Sequence, residues 1–329
     1  MKARRQTMSL LHEKAIRPSD EDLQDLEAQI DAWTVAGRVT CVVEDLVRLN
    51  VRSVMRLVVG RVDAELERRL ATLLAVLTPV VEKGTGLSRL GSLVSRSHRR
   101  AQRGERDMAR VLARVVASSP GDSLAPRLLA SGIDEATVLN LTTALMLAGA
   151  LVPAAAGAWV LALLAAHPDW QERARNHTSA RSAVVSESLR LYPPTWLVTR
   201  TVAHDGVYAG WSLRQGDEVV LSPYISHRRP DVFEDPTAFR PDRWIGSGAV
   251  QRPPSHHYFP YGAGARRCVA AGLATRRLEM LIEGVTATSV VSVSHLPRSA
   301  STTSTLLPED LTLHVATRHC QLSAEQRQE

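Results

Sequence analysis

From Leu145 to Ala166 the chain runs for 22 residues without a charged side chain, long enough as a helix to cross a bilayer. Two environments accept such a segment: lipid, or the centre of a large protein core. The run is rich in Ala and Gly, carries Pro153 in its middle and lies between polar stretches rather than beside an aromatic belt. Those features favour a buried central helix, expected over residues 137–166, and no membrane span. The composition supports a core of that size. Of 329 residues, 44% are hydrophobic and 22% charged, which excludes a disordered chain, and 19 Gly with 17 Pro exclude a collagen-like polymer.

The stretch before this run reads as helical. Leu23 to Val35 is amphipathic, and Val42 to Val59, Val62 to Val81 and Asp107 to Ala117 repeat apolar residues at three- and four-residue spacing. Breaks at Gly84–Gly86 and Ser118–Asp122 separate them. From about Pro193 the pattern changes to short β-branched runs, Leu197 to Val202 and Glu218 to Leu221, punctuated by Gly210, Gly216, Pro230, Pro236 and Pro241. The expected architecture is mainly α with small β-sheets, an α+β arrangement. Residues 1–190 form its helical part and 191–329 a region of strands and loops with a late helix.

A formal charge of +6 comes almost wholly from arginine, since Lys2, Lys14 and Lys83 are the only lysines among 40 basic residues. The arginines are spread among 34 acids with few aromatics between them, which argues against nucleic-acid binding and suits an acidic protein partner. Cys41, Cys268 and Cys320 are far apart, so the spacing suggests neither a disulfide framework nor a zinc ribbon, and a reducing cytoplasm is expected. The first residues contain no uninterrupted apolar stretch of the kind a secretory signal needs.

The most informative motif runs from Phe259 to Ala274. Gly262 and Gly264 put backbone without side chains just ahead of Cys268, and the Ala-rich run that follows reads as the start of a helix. A helix N-terminus favours negative charge, glycines admit a flat bulky ligand, and Arg266 can pair with an anionic group on it. Thiolate, close approach and anion partner together describe haem ligation better than nucleophilic catalysis. A lone cysteine near a turn is more often a buried structural one, but two further motifs tell against that. Glu187 and Arg190 share a helix face that Pro193 and Pro194 terminate, and Phe239-Arg-Pro-Asp-Arg243-Trp places another arginine in a proline-bounded loop.

Glu-x-x-Arg, Pro-x-Arg-aromatic and Gly-x-Gly-x-Arg-x-Cys in this order resemble the cytochrome P-450 family. The resemblance implies that family's fold in a single domain over 1–329, without its N-terminal sheet and early helices, and haem b with Cys268 as the axial thiolate and only metal ligand. It further implies that Arg266, Arg200 and Arg4 or Arg5 hold the propionates, and that Tyr261, Gly262, Gly264 and Ala270 lie along the haem. Glu187, Arg190 and Arg243 would form a buried structural triad. Thr195, Trp196, Leu197 and Val198 would line the substrate, and Ala148, Gly149 and Val152 the site of chemistry. Ser222 to Asp235, with His227 and Arg228, and the turn from Ser299 to Leu307 also follow the family's pattern. The implied function is a monooxygenase acting on a small organic substrate of the secondary-metabolite kind. Its electrons would come from an acidic ferredoxin or flavodoxin meeting arginines such as Arg267, Arg276 and Arg277.

Three departures qualify this reading. Where the family has an acid and an alcohol to relay protons to dioxygen, this chain has Leu151 and Val152, followed by Pro153, which frees the carbonyl of Gly149. Ala270 replaces a usual glycine. The opening Lys2-Ala-Arg4-Arg5 resembles the end of a helix that lies well inside other members, so the expectation is either a misplaced gene start or a shortened chain with an open distal face. Two alternatives follow: an atypical enzyme that uses peroxide or takes its proton from the substrate, and a truncated relative without catalysis.

Overall fold

A computed structural model describes residues 19–84, 96–246, 256–302 and 305–318. Helix α1 (Asp20–Ala36) starts where Ser19 accepts the Asp22 N–H and three acids crowd the first turn, and it stops at Gly37, whose positive φ no side chain favours. A short strand β1 (Arg38–Val39) leads to α2 (Val42–Val59), which has the bounds its apolar spacing predicts. Helices α3 (Ala64–Gly84), α4 (Arg96–Ala117) and α5 (Leu124–Ala130) follow.

The charge-free run lies in α6 (Glu135–Ala166), a 32-residue helix that begins where Asp134 accepts the Thr137 N–H. Of its most apolar window, 67% is buried inside the protein, as expected of a core helix. Every residue from Ala154 to Ala165 is buried, and α6 contributes to each of three apolar clusters. Its first half packs with α2 to α5 around Met55, Leu66, Leu112 and Met146. Its second half meets α1 at Trp33 and Val285 of α10 (Ala271–Thr288) on one side. On the other it packs with Trp170 of α7 (Pro168–Asn176) and Val184 of α8 (Thr178–Leu191).

The strands are short and peripheral. β2 (Val198–Thr201) pairs antiparallel with β5 (Glu218–Leu221), with Val198 opposite Leu221 and Thr201 opposite Glu218. The hairpin β3 (Gly206–Tyr208) and β4 (Trp211–Leu213) lies between them in sequence, and the one-turn helix α9 (Pro223–Ser226) follows β5. Strand β6 (Ser289–Ser292) joins a three-stranded sheet in the order β1, β9 (Leu313–Thr317), β6, and β7 (Ala300–Ser301) pairs with β8 (Leu307–Pro308). Gln171 fastens α7 to that sheet by donating to the Leu164 and Val291 carbonyls and accepting the Val291 N–H. The molecule is helix-rich with small sheets, as its patterning predicts.

Candidate active site

The site is built outward from one carboxylate. Glu187, on α8, has no solvent exposure and accepts five hydrogen bonds. Oε1 takes Arg190 Nη2 at 2.8 Å, the Arg240 N–H at 2.9 Å and Arg243 Nε at 3.1 Å. Oε2 takes Arg190 Nε at 2.9 Å and Trp244 Nε1 at 2.8 Å. A buried charge is tolerated only when paired and hydrogen-bonded, and here both oxygens are saturated.

Arg190 is used as fully. Beyond Glu187, Nη1 donates to the His227 and Pro236 carbonyls and Nη2 to that of Ala238, while its guanidinium lies 5.2 Å from the Phe233 ring centre. Arg243 donates to the Glu234 carbonyl at 3.0 Å. The chain from 227 to 244 has almost no regular structure, so its carbonyls find donors in these two guanidiniums instead of a ladder. The structure thus brings Glu187, Arg190 and Arg243 together. Sequence reasoning missed the indole of Trp244 as a donor to the carboxylate and the irregular carbonyls that complete the network, because neither leaves a signal beyond its own motif.

His227 and Tyr258 carry this network to the cysteine loop. His227 is buried, and its Nε2 accepts the Phe259 N–H at 2.9 Å. Burial lowers its pKa to about 3, against weaker opposing contacts with the main chain of Arg190 and Leu189, so the ring is neutral and Nδ1 holds the proton. Tyr258 packs its ring 4.7 Å from Trp244 and donates to the Ser186 carbonyl, and burial pushes its hydroxyl pKa up. Tyr261 then bonds Thr275 of α10 at 2.8 Å, and desolvation raises its pKa to about 12.

The loop itself turns twice through positive φ, at Gly262 and Gly264, and a Cβ added at either would meet nothing within 4 Å. The Cys268 N–H donates to the Tyr261 carbonyl at 2.8 Å and closes the loop. Cys268 is exposed and Val269 packs against the cluster that includes Met146 and Ala150 of α6. The helix begins within the Ala-rich run, as read from its composition: Ala270 is the N-cap, with no side-chain cap, and α10 starts at Ala271.

The other expected residues are distributed as follows. Thr195 and Leu197 are exposed and Trp196 and Val198 half-buried on the approach to β2. Arg200 follows, and its one hydrogen bond among the described residues runs from Nη1 to its neighbour's carbonyl, Thr199 O, at 2.8 Å. Arg266 is exposed. On α6, Ala148 is exposed and Val152 half-buried, while Gly149 faces α2, where a Cβ would lie 2.7 Å from Val54 Cγ2. Arg277, expected on a docking face, instead turns inward and donates to Ser53 of α2, while Arg276 pairs with Glu279 at 3.6 Å. Helical periodicity explains the correction, since adjacent residues on a helix point about 100° apart. Arg4 and Arg5 lie outside the described residues.

A sequence model of the cytochrome P450 family matches residues 96–287, more than half of the chain. The chain belongs to that family, whose cofactor is haem with a cysteine thiolate as axial ligand. Among relatives, cyclooctat-9-en-7-ol 5-monooxygenase of Streptomyces melanosporofaciens is 31% identical over 170 residues, 46% of this chain and 36% of that protein. Cyclooctatin synthase of the same organism is 42% identical over 86 residues, 26% of this chain and 18% of its own length. The matches therefore span about a third or less of these relatives. The fold is also that of solved members. It superposes on the cytochrome P450DA heme domain with a TM-score of 0.81 at 18% identity, covering 96% of this chain and 77% of the other. For a six-coordinated cytochrome P450 from Thermus thermophilus the TM-score is 0.68 at 23% identity, with 92% and 79% covered.

The residues present fit haem. An exposed thiol stands beside two left-handed glycines that open onto free space, and Arg266 and Arg200 have no carboxylate bonded to them among the described residues.

Proposed function

We propose that this chain forms the haem-bearing body of a monooxygenase that inserts one oxygen atom of O2 into a small, largely apolar organic molecule. The observation that carries this reading is the chain of hydrogen bonds from Glu187 through Arg190 and His227 to Phe259, whose carbonyl accepts the Gly262 N–H in the loop that Cys268 closes on Tyr261. It holds the cysteine loop in a geometry that suits an axial thiolate. Thiolate-bound haem supplies oxygen activation when it is present. The protein's own residues then have distinct tasks. Cys268 ligates, while Gly262, Gly264, Tyr261 and Ala270 shape the loop so that nothing but hydrogen stands over the glycine backbone. Arg266 and Arg200 pair with carboxylates of the ligand, and Glu187, Arg190 and Arg243 hold the supporting loop rigid. Thr195 to Val198 and Ala148 with Val152 offer methyl groups, one hydroxyl and the Trp196 indole to substrate, which suits a compact secondary metabolite. An acidic ferredoxin or flavodoxin would donate electrons at the exposed, basic end near Arg267, in the cytoplasm.

A second reading rests on Leu151 and Val152. Both are half-buried and neither can hold or pass a proton. Protons must then come from water or substrate, and peroxide, which brings its own, becomes the better co-substrate.

The test is a ferrous carbon monoxide difference spectrum of haem-reconstituted protein beside Cys268→Ala. A strongly red-shifted Soret band that the substitution abolishes supports thiolate ligation; an unchanged band, or failure to hold haem, removes both readings and leaves a non-catalytic relative. Turnover with peroxide against a ferredoxin system then separates the first two.

A further inference from the structure

A half-open cleft of about 70 Å³ lies between α1, α2, α6 and α10, room for roughly five water-sized positions. Leu26, Leu46, Leu49, Pro153 and Leu281 give it an apolar wall. One side is charged. Asp22 accepts Arg56 at 2.7 Å on one oxygen and Ser53 at 2.7 Å on the other, and Asp25 holds Arg52 at 3.0 Å together with Arg56. Asp22 is thereby committed on both oxygens, and Asp25 receives both arginines on Oδ2. The third guanidinium, Arg277, enters from α10 and donates from Nη2 to the Ser53 hydroxyl, its one hydrogen bond among the described residues.

Three cations therefore face two anions, and the one without a carboxylate lines the cleft. Desolvation lowers the pKa of Arg277 and the charge of Asp22 offsets it only in part, as expected of a buried cation with no carboxylate in direct contact. An isolated charge in such a place is unfavourable until paired. A ligand with a single negative charge matches the imbalance, whereas a phosphate dianion would meet Asp22 and Asp25. The volume admits about six heavy atoms, and the walls ask for an alkyl group.

We propose that this cleft binds a short-chain aliphatic monocarboxylate, its carboxylate on the Arg277 guanidinium and its tail against Leu46, Leu49, Pro153 and Leu281. The site uses none of the residues assigned to haem, so its test does not depend on haem loading.

Butyrate titrated into the full chain at constant ionic strength, followed by calorimetry and methyl NMR, should bind saturably with a millimolar Kd. Butyramide, of the same shape without the charge, should bind at least tenfold more weakly, and chloride should not compete at equal concentration. Arg277→Gln should abolish butyrate binding, while Arg276→Gln leaves it unchanged. Equal affinity for butyrate and butyramide in the wild-type chain would overturn the assignment, whether or not the Arg277 variant folds. Competition by chloride as strong as by butyrate would also overturn it, because the alkyl contacts would then contribute nothing.

Discussion

At the scale of single residues, Glu187 and Arg190 share the heaviest role, each making five hydrogen bonds. Five donors converge on Glu187 without solvent, so replacing it by Gln leaves Arg190 and Arg243 buried and unmatched. Glu187→Gln should lower the stability read from equilibrium urea unfolding by about 3–5 kcal/mol, and a loss under about 1 kcal/mol would mean water reaches the site. His227 gives a pH prediction of fixed sign. The unfolded ring titrates near its ordinary value of 6.5 and the folded ring near 3, so the unfolded state binds the extra proton between those values. Stability should therefore fall as pH drops from about 6.5 towards 3, by up to about 1.4 kcal/mol per pH unit. In His227→Phe that part of the slope should vanish from the pH dependence of the urea midpoint. The spacing of Glu187, Arg190 and Arg243 was legible in their motifs. The role of His227 was not, because its partner, the Phe259 N–H, lies 32 residues away and a main-chain donor has no sequence identity.

Among elements, the contact between α2 and α6 decides what the middle of α6 does. Gly149 stands in the motif expected to carry chemistry, yet its Cα faces Val54, a β-branched residue with little rotamer freedom. Alanine for glycine inside a helix normally stabilises by about 0.5–1 kcal/mol. Here the added carbon would lie 2.7 Å from Val54 Cγ2, and overpacking of about 1–3 kcal/mol outweighs the gain. Thermal unfolding should show Gly149→Ala destabilised and Gly149→Ala with Val54→Ala largely recovered; simple additivity of the two losses would refute the clash. Apolar spacing predicted α2, unbroken apolarity predicted the charge-free part of α6, and the Ala-rich run after Cys268 marked the start of α10, where the loop closed by Cys268 on Tyr261 releases the chain.

On the scale of the whole molecule, the exposed large apolar side chains among the described residues lie in one region, apart from Leu23 and Val35 of α1. Trp211 is 75% exposed, Val207 72%, Ile225 70% and Val220 56%, all around the two small sheets formed by β2 to β5. A two-stranded sheet with apolar residues on view is marginal alone and tends to recruit another surface. Sedimentation velocity should accordingly show concentration-dependent association, and Val220→Lys combined with Ile225→Lys should reduce it and lower binding of an apolar dye. If the double substitution leaves association unchanged, the attraction lies elsewhere. By itself the sequence determined the helical body, the burial of the long apolar helix and the order of motifs around Cys268, because periodicity and local turn chemistry are properties of neighbouring residues. Which face of α6 meets α2, which arginine turns inward and which carbonyls saturate Arg190 were decided only by tertiary structure. Those outcomes depend on which distant groups arrive close enough to bond or collide, and no local spacing records that.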